Sequence, residues 1–236
     1  MATYVLIHGA SSDSWYWHRV IPLLRAAGHD VITPNLPVGD PACGIPEYTD
    51  TAIATIREHT GDAATPTDLI IVAQSLGGFT GALLATRVPT KLLVYVAAMA
   101  PKAGETPGEW WEATGYSEAK RHNDELVGIA GREDLDSEIT FFHDVPADIT
   151  AEALRRPVPQ TDGPFKSPPM PEHPNVPVRF LLCRDDRMFP AEFQRRLAKE
   201  RLGITADEMG GGHLPALAHP EELVRQLEMF RVEAGL

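Results

Sequence analysis

The 236-residue chain carries 21 Lys and Arg against 33 Asp and Glu, a formal net charge of −12, with 43% hydrophobic and 23% charged residues. That balance repels phosphate backbones and anionic lipid and offers no basic patch, which sets aside nucleic acid and membrane surfaces as partners. The length suits one α/β domain with an insertion. Cys43 and Cys183 lie far apart, outside any C-x-x-C or metal-like spacing, so both are expected as free thiols and no metal is expected.

In chain order, the first apolar run, Thr3 to Ile7, is too short for a signal-peptide core and reads as a strand; a cytoplasmic protein is expected. Further strands are predicted at Asp30–Thr33, Leu69–Val72, Leu92–Ala97, Val178–Leu182 and Ile204–Met209. Helices are predicted between them at Trp17–Ala27 (closed by Gly28), Tyr48–His59, Leu76–Arg87, Ala191–Glu200 and Glu221–Val232. Pro190 and Pro220 stand where a first helical turn accepts proline. Valine- and isoleucine-rich runs alternating with helices predict a mostly parallel six-stranded sheet flanked by helices. Residues 101–176 exceed what one crossover needs and read as an insertion after the fourth strand, with 1–100 and 177–236 forming the core. The insertion holds amphipathic stretches at Ser117–Ala130 and Ala147–Arg156, the pairs Trp110-Trp111 and Phe141-Phe142, and a proline-rich exit. At the end of a parallel sheet it reads as a cap over a ligand pocket. Trp15, Trp110, Phe141 and Phe165 are candidate pocket walls, and each could equally be plain core.

The segment Asp68–Gly78, DLIIVAQSLGG, runs an apolar strand into a serine flanked at two positions by small residues and then into a helix. Such a corner forces the serine into strained backbone and its neighbours into close contact, so it reads as a nucleophile elbow with Ala73 in place of the first glycine. The competing reading makes Ser75 an ordinary helix N-cap. A nucleophilic serine needs a base, and the base needs a carboxylate. CRDDRMFP follows the fifth strand and GGGHLP the sixth, so Asp185 or Asp186 and His213 fall beyond strand C-termini, as Ser75 does. Among nine histidines His213 is favoured, because three preceding glycines permit a tight turn over the sheet edge. His219 is expected at the start of the last helix; His18, His29, His59 and His122 have solvent-facing or packing roles, and His143 and His173 lie in the insertion. The Leu76 amide offers one oxyanion donor. The loop IHGASSDSWYW offers Ala10 as the second, with Gly9 permitting close approach; an ordinary strand-to-helix loop is the other reading.

The string VLIHGASSDSWYWHRVIPLLRAAGHDVITPNLP, with AQSLGG, FFHDVPADITAEALRRPVPQ, DDRMFP and GGGHLP, resembles the α/β-hydrolase branch that contains plant-type methyl esterases, hydroxynitrile lyases and bacterial relatives. The resemblance implies an α/β-hydrolase fold, Ser75 as nucleophile, His213 as base, Asp186 as orienting acid, the Ala10 and Leu76 amides as oxyanion hole, and a small cap over an apolar pocket. Loop geometry and the resemblance together favour Asp186 over Asp185. The lyases of this branch carry threonine after the first-loop histidine and lysine after the catalytic one; here those positions are Gly9 and Leu214. A serine hydrolase acting without cofactor on a small apolar ester is therefore the leading expectation. A carbon–carbon lyase and a non-enzymatic small-ligand-binding protein on the same fold are its rivals. Amide and lactone cleavage stay open, as does oligomeric state, a homodimer included.

Overall fold

Runs such as Leu69–Gln74 and Leu92–Val96 are buried along their whole length, the signature of strands covered on both faces. The computed structural model describes residues 1–61, 68–131 and 137–236. Its sheet is built from β1 (Thr3–Ile7), β2 (Asp30–Ile32), β3 (Leu69–Gln74), β4 (Leu92–Val96), β5 (Val178–Cys183) and β6 (Asp207–Met209). The order is β2-β1-β3-β4-β5-β6, and every neighbouring pair is parallel. This is the α/β-hydrolase fold. The chain leaves β1 toward β2 and returns on the other side as β3, so the loops after β1 and β3 flank a topological switch point, where open α/β sheets bind ligands. Ile7 pairs with Ala73, which brings His8–Ala10 beside Ser75.

The helices in chain order are α1 (Ile21–Ala26), α2 (Ile45–Thr60), α3 (Gly77–Arg87), α4 (Trp110–Ala113), α5 (Tyr116–Leu126), α6 (Ser137–Thr140), α7 (Ala147–Leu154), α8 (Ala191–Leu197), α9 (Pro215–Ala218) and α10 (Pro220–Glu233). Their apolar faces form one core layer on each side of the sheet. No helix among the described residues is long and apolar enough to cross a membrane.

Several predicted boundaries move for local reasons. The helix expected from Trp17 splits into a 3-10 turn, Ser14–Trp17, and α1, because the Asp13 carboxylate accepts the Trp15 N–H at 2.8 Å and starts the turn early. α2 begins three residues before the expected start: the Glu47 carboxylate accepts the Gly44 N–H at 2.8 Å and Pro46 fills the first turn. α5 stops at Leu126, with Gly128 in the left-handed region at φ +73°. α8 gives way at Ala198 to a widened turn closed by Gly203 (φ +69°), which delays β6 to Asp207.

The segment between β4 and β5 holds α4 to α7. It is tied down where it begins: the Arg201 guanidinium forms a two-pronged ion pair with Glu105 at 2.5 and 2.8 Å, with side chains only 3% and 9% exposed.

Candidate active site

The turn between β3 and α3 sets the geometry. Ser75 has φ +53°, and its carbonyl accepts the N–H groups of Gly78 and Met99, both at 3.0 Å. A β-carbon at Gly77 would stand 2.6 Å from the His8 carbonyl oxygen, so only glycine lets the two loops approach. The side chain of Ser75 is not a helix cap, since Leu76 takes that position and no side-chain cap bond forms. Instead Ser75 Oγ lies 3.0 Å from His213 Nε2, and His213 Nδ1 lies 2.8 Å from Asp186 Oδ2.

Asp186 is buried, and four donors converge on it. Oδ1 accepts the N–H groups of Met188 and Phe189, each at 2.8 Å, while Oδ2 accepts from His213 Nδ1 and from Gln194 Nε2 at 3.2 Å. The turn M-F-P opening α8 thus aims two amides at one oxygen and leaves the other for the imidazole. Asp185 is exposed and accepts the Gly211 N–H instead. His213 is buried with its ring edge-on to Phe189 and Phe141, at 5.0 and 5.6 Å between centroids. Its carbonyl accepts from Gln74 Nε2 at 3.0 Å, a brace the sequence reading missed. A lone polar residue at the end of a fully buried strand was its signal.

The other histidines do different work. His219 stands directly before α10 with its ring turned to Asp144, His18 stacks on Trp15 at 4.3 Å, His59 pairs with Asp30 and His29 with Glu228. His8 went unweighed in the sequence. Its Nδ1–H donates to the Gly9 carbonyl at 2.9 Å and its Nε2 accepts the Leu36 N–H at 3.2 Å, so the neutral ring staples the first loop. Burial pushes its pKa below the ordinary 6.5. With the folded value depressed, the unfolded chain binds the extra proton first. Stability is therefore full above pH 6.5 and falls as pH drops from there through the folded pKa. Thermal melts across pH 5 to 7.5 are expected to show this decline, flattened in His8→Asn.

Ala10 and Leu76 line the same cavity as Ser75 and His213, and neither backbone N–H has a hydrogen-bond partner among the described residues. The cavity is about 470 Å³. A model of the alpha/beta hydrolase family matches residues 4–226. The chain belongs to that family. Methylesterase 8 of Arabidopsis thaliana is 26% identical to this alpha/beta hydrolase over 249 residues, spanning 93% of this chain and 86% of its own. Salicylic acid-binding protein 2 of Nicotiana tabacum is 25% identical over 261 residues, 95% of each chain. The crystal structure of polyneuridine aldehyde esterase shares the fold with a TM-score of 0.80 at 20% identity, covering 98% of this chain and 99% of that one.

Three of the four expected wall residues of this alpha/beta hydrolase, Trp15, Phe141 and Phe165, do line the cavity. Trp110 does not. Adjacent residues on one helical turn point about 100° apart, and Trp110 is the one turned inward: fully buried, its Nε1–H donates to the Ala100 carbonyl at 3.1 Å, and its ring packs on Phe189 and Phe193. Trp111, edge-on to it at 5.2 Å, faces the cavity in its place. Trp110→Ala is expected to cost about 3–5 kcal/mol of stability with substrate preference unchanged. Trp111→Ala is expected to shift the preferred ester toward larger substrates with a smaller stability loss; denaturant melts and ester kinetics separate the two.

Proposed function

We propose that this chain is a serine esterase that cleaves a small ester with an apolar acyl or alcohol part. The observation that carries this reading is the unbroken hydrogen-bonded line from Asp186 through His213 to Ser75, ending in an apolar cavity. His213 Nε2 takes the Ser75 hydroxyl proton as Oγ attacks the ester carbonyl, and Asp186 holds the Nδ1–H tautomer and stabilises the imidazolium. The unpartnered amides of Ala10 and Leu76 receive the developing oxyanion, each donor contributing about 3 kcal/mol of transition-state stabilisation. The imidazolium then gives its proton to the leaving alcohol. Water, deprotonated by the same base, cleaves the acyl-enzyme and regenerates Ser75. These residues need no metal or organic cofactor.

Residues 101–176 act as the cap in this reading: Phe141, Phe142, Ala153, Arg156 and Phe165 of that segment all line the cavity. Leu214 beside the base and Gly9 beside the serine weigh against cyanohydrin cleavage. Leucine brings no positive charge for a cyanide leaving group, and a β-carbon at Gly9 would stand 2.8 Å from Ser75 Cβ, leaving no room for a larger side chain. The relatives named methylesterase put methyl esters among the first substrates to try. The test is hydrolysis of p-nitrophenyl esters of increasing acyl length, beside methyl esters of apolar acids, the matching amides and lactones, and a cyanohydrin. Ester turnover with an optimum at short to medium acyl length is expected. Turnover of the cyanohydrin alone, or of nothing by the folded protein, would overturn the reading.

A further inference from the structure

The loop that carries His213 is gripped from two sides by carboxylates, and one of them comes from the insertion. On the core side, Asp185 Oδ2 accepts the Gly211 N–H at 3.0 Å, and the Asp185 N–H donates to the Gly211 carbonyl at 3.0 Å. On the insertion side, Asp144 Oδ2 accepts the Gly212 N–H at 2.6 Å, directly before the base, and is itself approached by His219 Nε2 at 3.2 Å. The fit is close. A β-carbon at Gly212 would lie 2.7 Å from His143 Nε2 and 2.8 Å from Asp144 Oδ1, so a larger residue there would push these two side chains out of their present contact.

The same four-residue stretch reaches the chemistry twice more. Phe141 rests its ring against the His213 imidazole and, with Phe142, forms cavity wall. Residues 141–144 therefore touch the cavity, the ring of the base and the backbone of the residue just before it. Across the loop, Gln74 holds the His213 carbonyl from the elbow strand. The imidazole is thus positioned between a brace from the sheet and a brace from the insertion.

We infer that Asp144 is a positioning residue for the proton transfer, an oxygen acceptor that fixes the Gly212 amide and so keeps His213 Nε2 within reach of Ser75. The inference rests on the serine-esterase reading. A general base acts only within hydrogen-bond distance of the proton it takes, and a displacement of about 1 Å costs on the order of 100-fold in rate. The role belongs to the oxygen and not to its charge. Asparagine preserves the acceptor; alanine removes it.

The experiment compares wild type, Asp144→Asn, Asp144→Ala and Asp144→Ser by two readouts. One is the rate at which a small dialkyl fluorophosphate phosphorylates Ser75, followed by intact mass, which draws on the activated serine and little on the cavity walls. The other is kcat and KM for p-nitrophenyl acetate. Asp144→Ala is expected to lower the phosphorylation rate and kcat together by about 10- to 100-fold, with KM within about twofold and Asp144→Asn within about threefold of wild type. Asp144→Ser, whose hydroxyl is too short to span the gap, should match alanine and serves if alanine does not fold. Wild-type labelling rates in the alanine and serine variants, an asparagine variant as slow as alanine, or a loss confined to KM would overturn the inference. A wild type whose Ser75 is never labelled would overturn the esterase reading instead, and the inference with it.

Discussion

Replacing Ser75 by alanine is expected to lower kcat for every ester the wild type cleaves by about 10⁴-fold or more while barely moving the melting temperature. Among the described residues Ser75 Oγ hydrogen-bonds to His213 alone, and it caps no helix. Its removal forfeits about 1 kcal/mol, equivalent to about 2–4 °C in a domain of this size. The strained turn survives, because it is enforced by the Gly78 and Met99 amides on the Ser75 carbonyl and not by the hydroxyl. Steady-state kinetics beside calorimetry of the same preparation check both halves. Retained turnover in a clean, folded variant would remove Ser75 from the reaction.

Asp186→Asn is expected to be nearly as damaging to rate and more damaging to the fold. All four polar contacts of Asp186 come from donors, so a carboxylate satisfies them and a carboxamide does not. If the amide oxygen keeps the Met188 and Phe189 N–H groups, its NH₂ faces His213. The imidazole must then accept at Nδ1, which moves its proton to Nε2 and points a donor at Ser75. That wrong tautomer is expected to cost about 10⁴-fold in kcat. The NH₂ also meets Gln194 Nε2 head-on, and a buried donor left without an acceptor costs about 1–3 kcal/mol. Asp185→Asn is the contrast, since its exposed side chain keeps an oxygen for the Gly211 amide. That variant should stay within about twofold of wild type in kcat. Equal losses in the two variants would mean that the structure's choice between neighbouring aspartates has no functional meaning.

The legible parts of this molecule are those fixed by local sequence. The strand runs, the elbow and the two loops D-D-R-M-F-P and G-G-G-H each announce a chain that leaves a strand and turns, and a parallel sheet puts all such turns on one edge. Ser75, Asp186 and His213 therefore meet at hydrogen-bond distance although 138 residues separate the first from the last. What sequence could not reveal depends on rotation or on distant partners. Whether Trp110 or Trp111 faces the cavity is decided by how α4 rolls onto Phe189 and Phe193, which no periodicity in a single turn encodes. Asp144 lies in a stretch without regular pattern and finds its partner 68 residues later. The helix starts moved for a similar reason: Glu47 reaching back to Gly44 is a side-chain event that apolar spacing does not register.

The ion pair between Glu105 and Arg201 bears on how this scaffold could be modified. Exchanging the segment between β4 and β5 for a foreign one would remove Glu105 and strand a guanidinium whose side chain is 97% out of solvent and which pairs with no other carboxylate among the described residues. The transferable unit is thus discontinuous in sequence: a new roof brings its own acid for Arg201, or is installed together with a neutral residue at that position, before any retuned specificity can be judged on a properly folded chain.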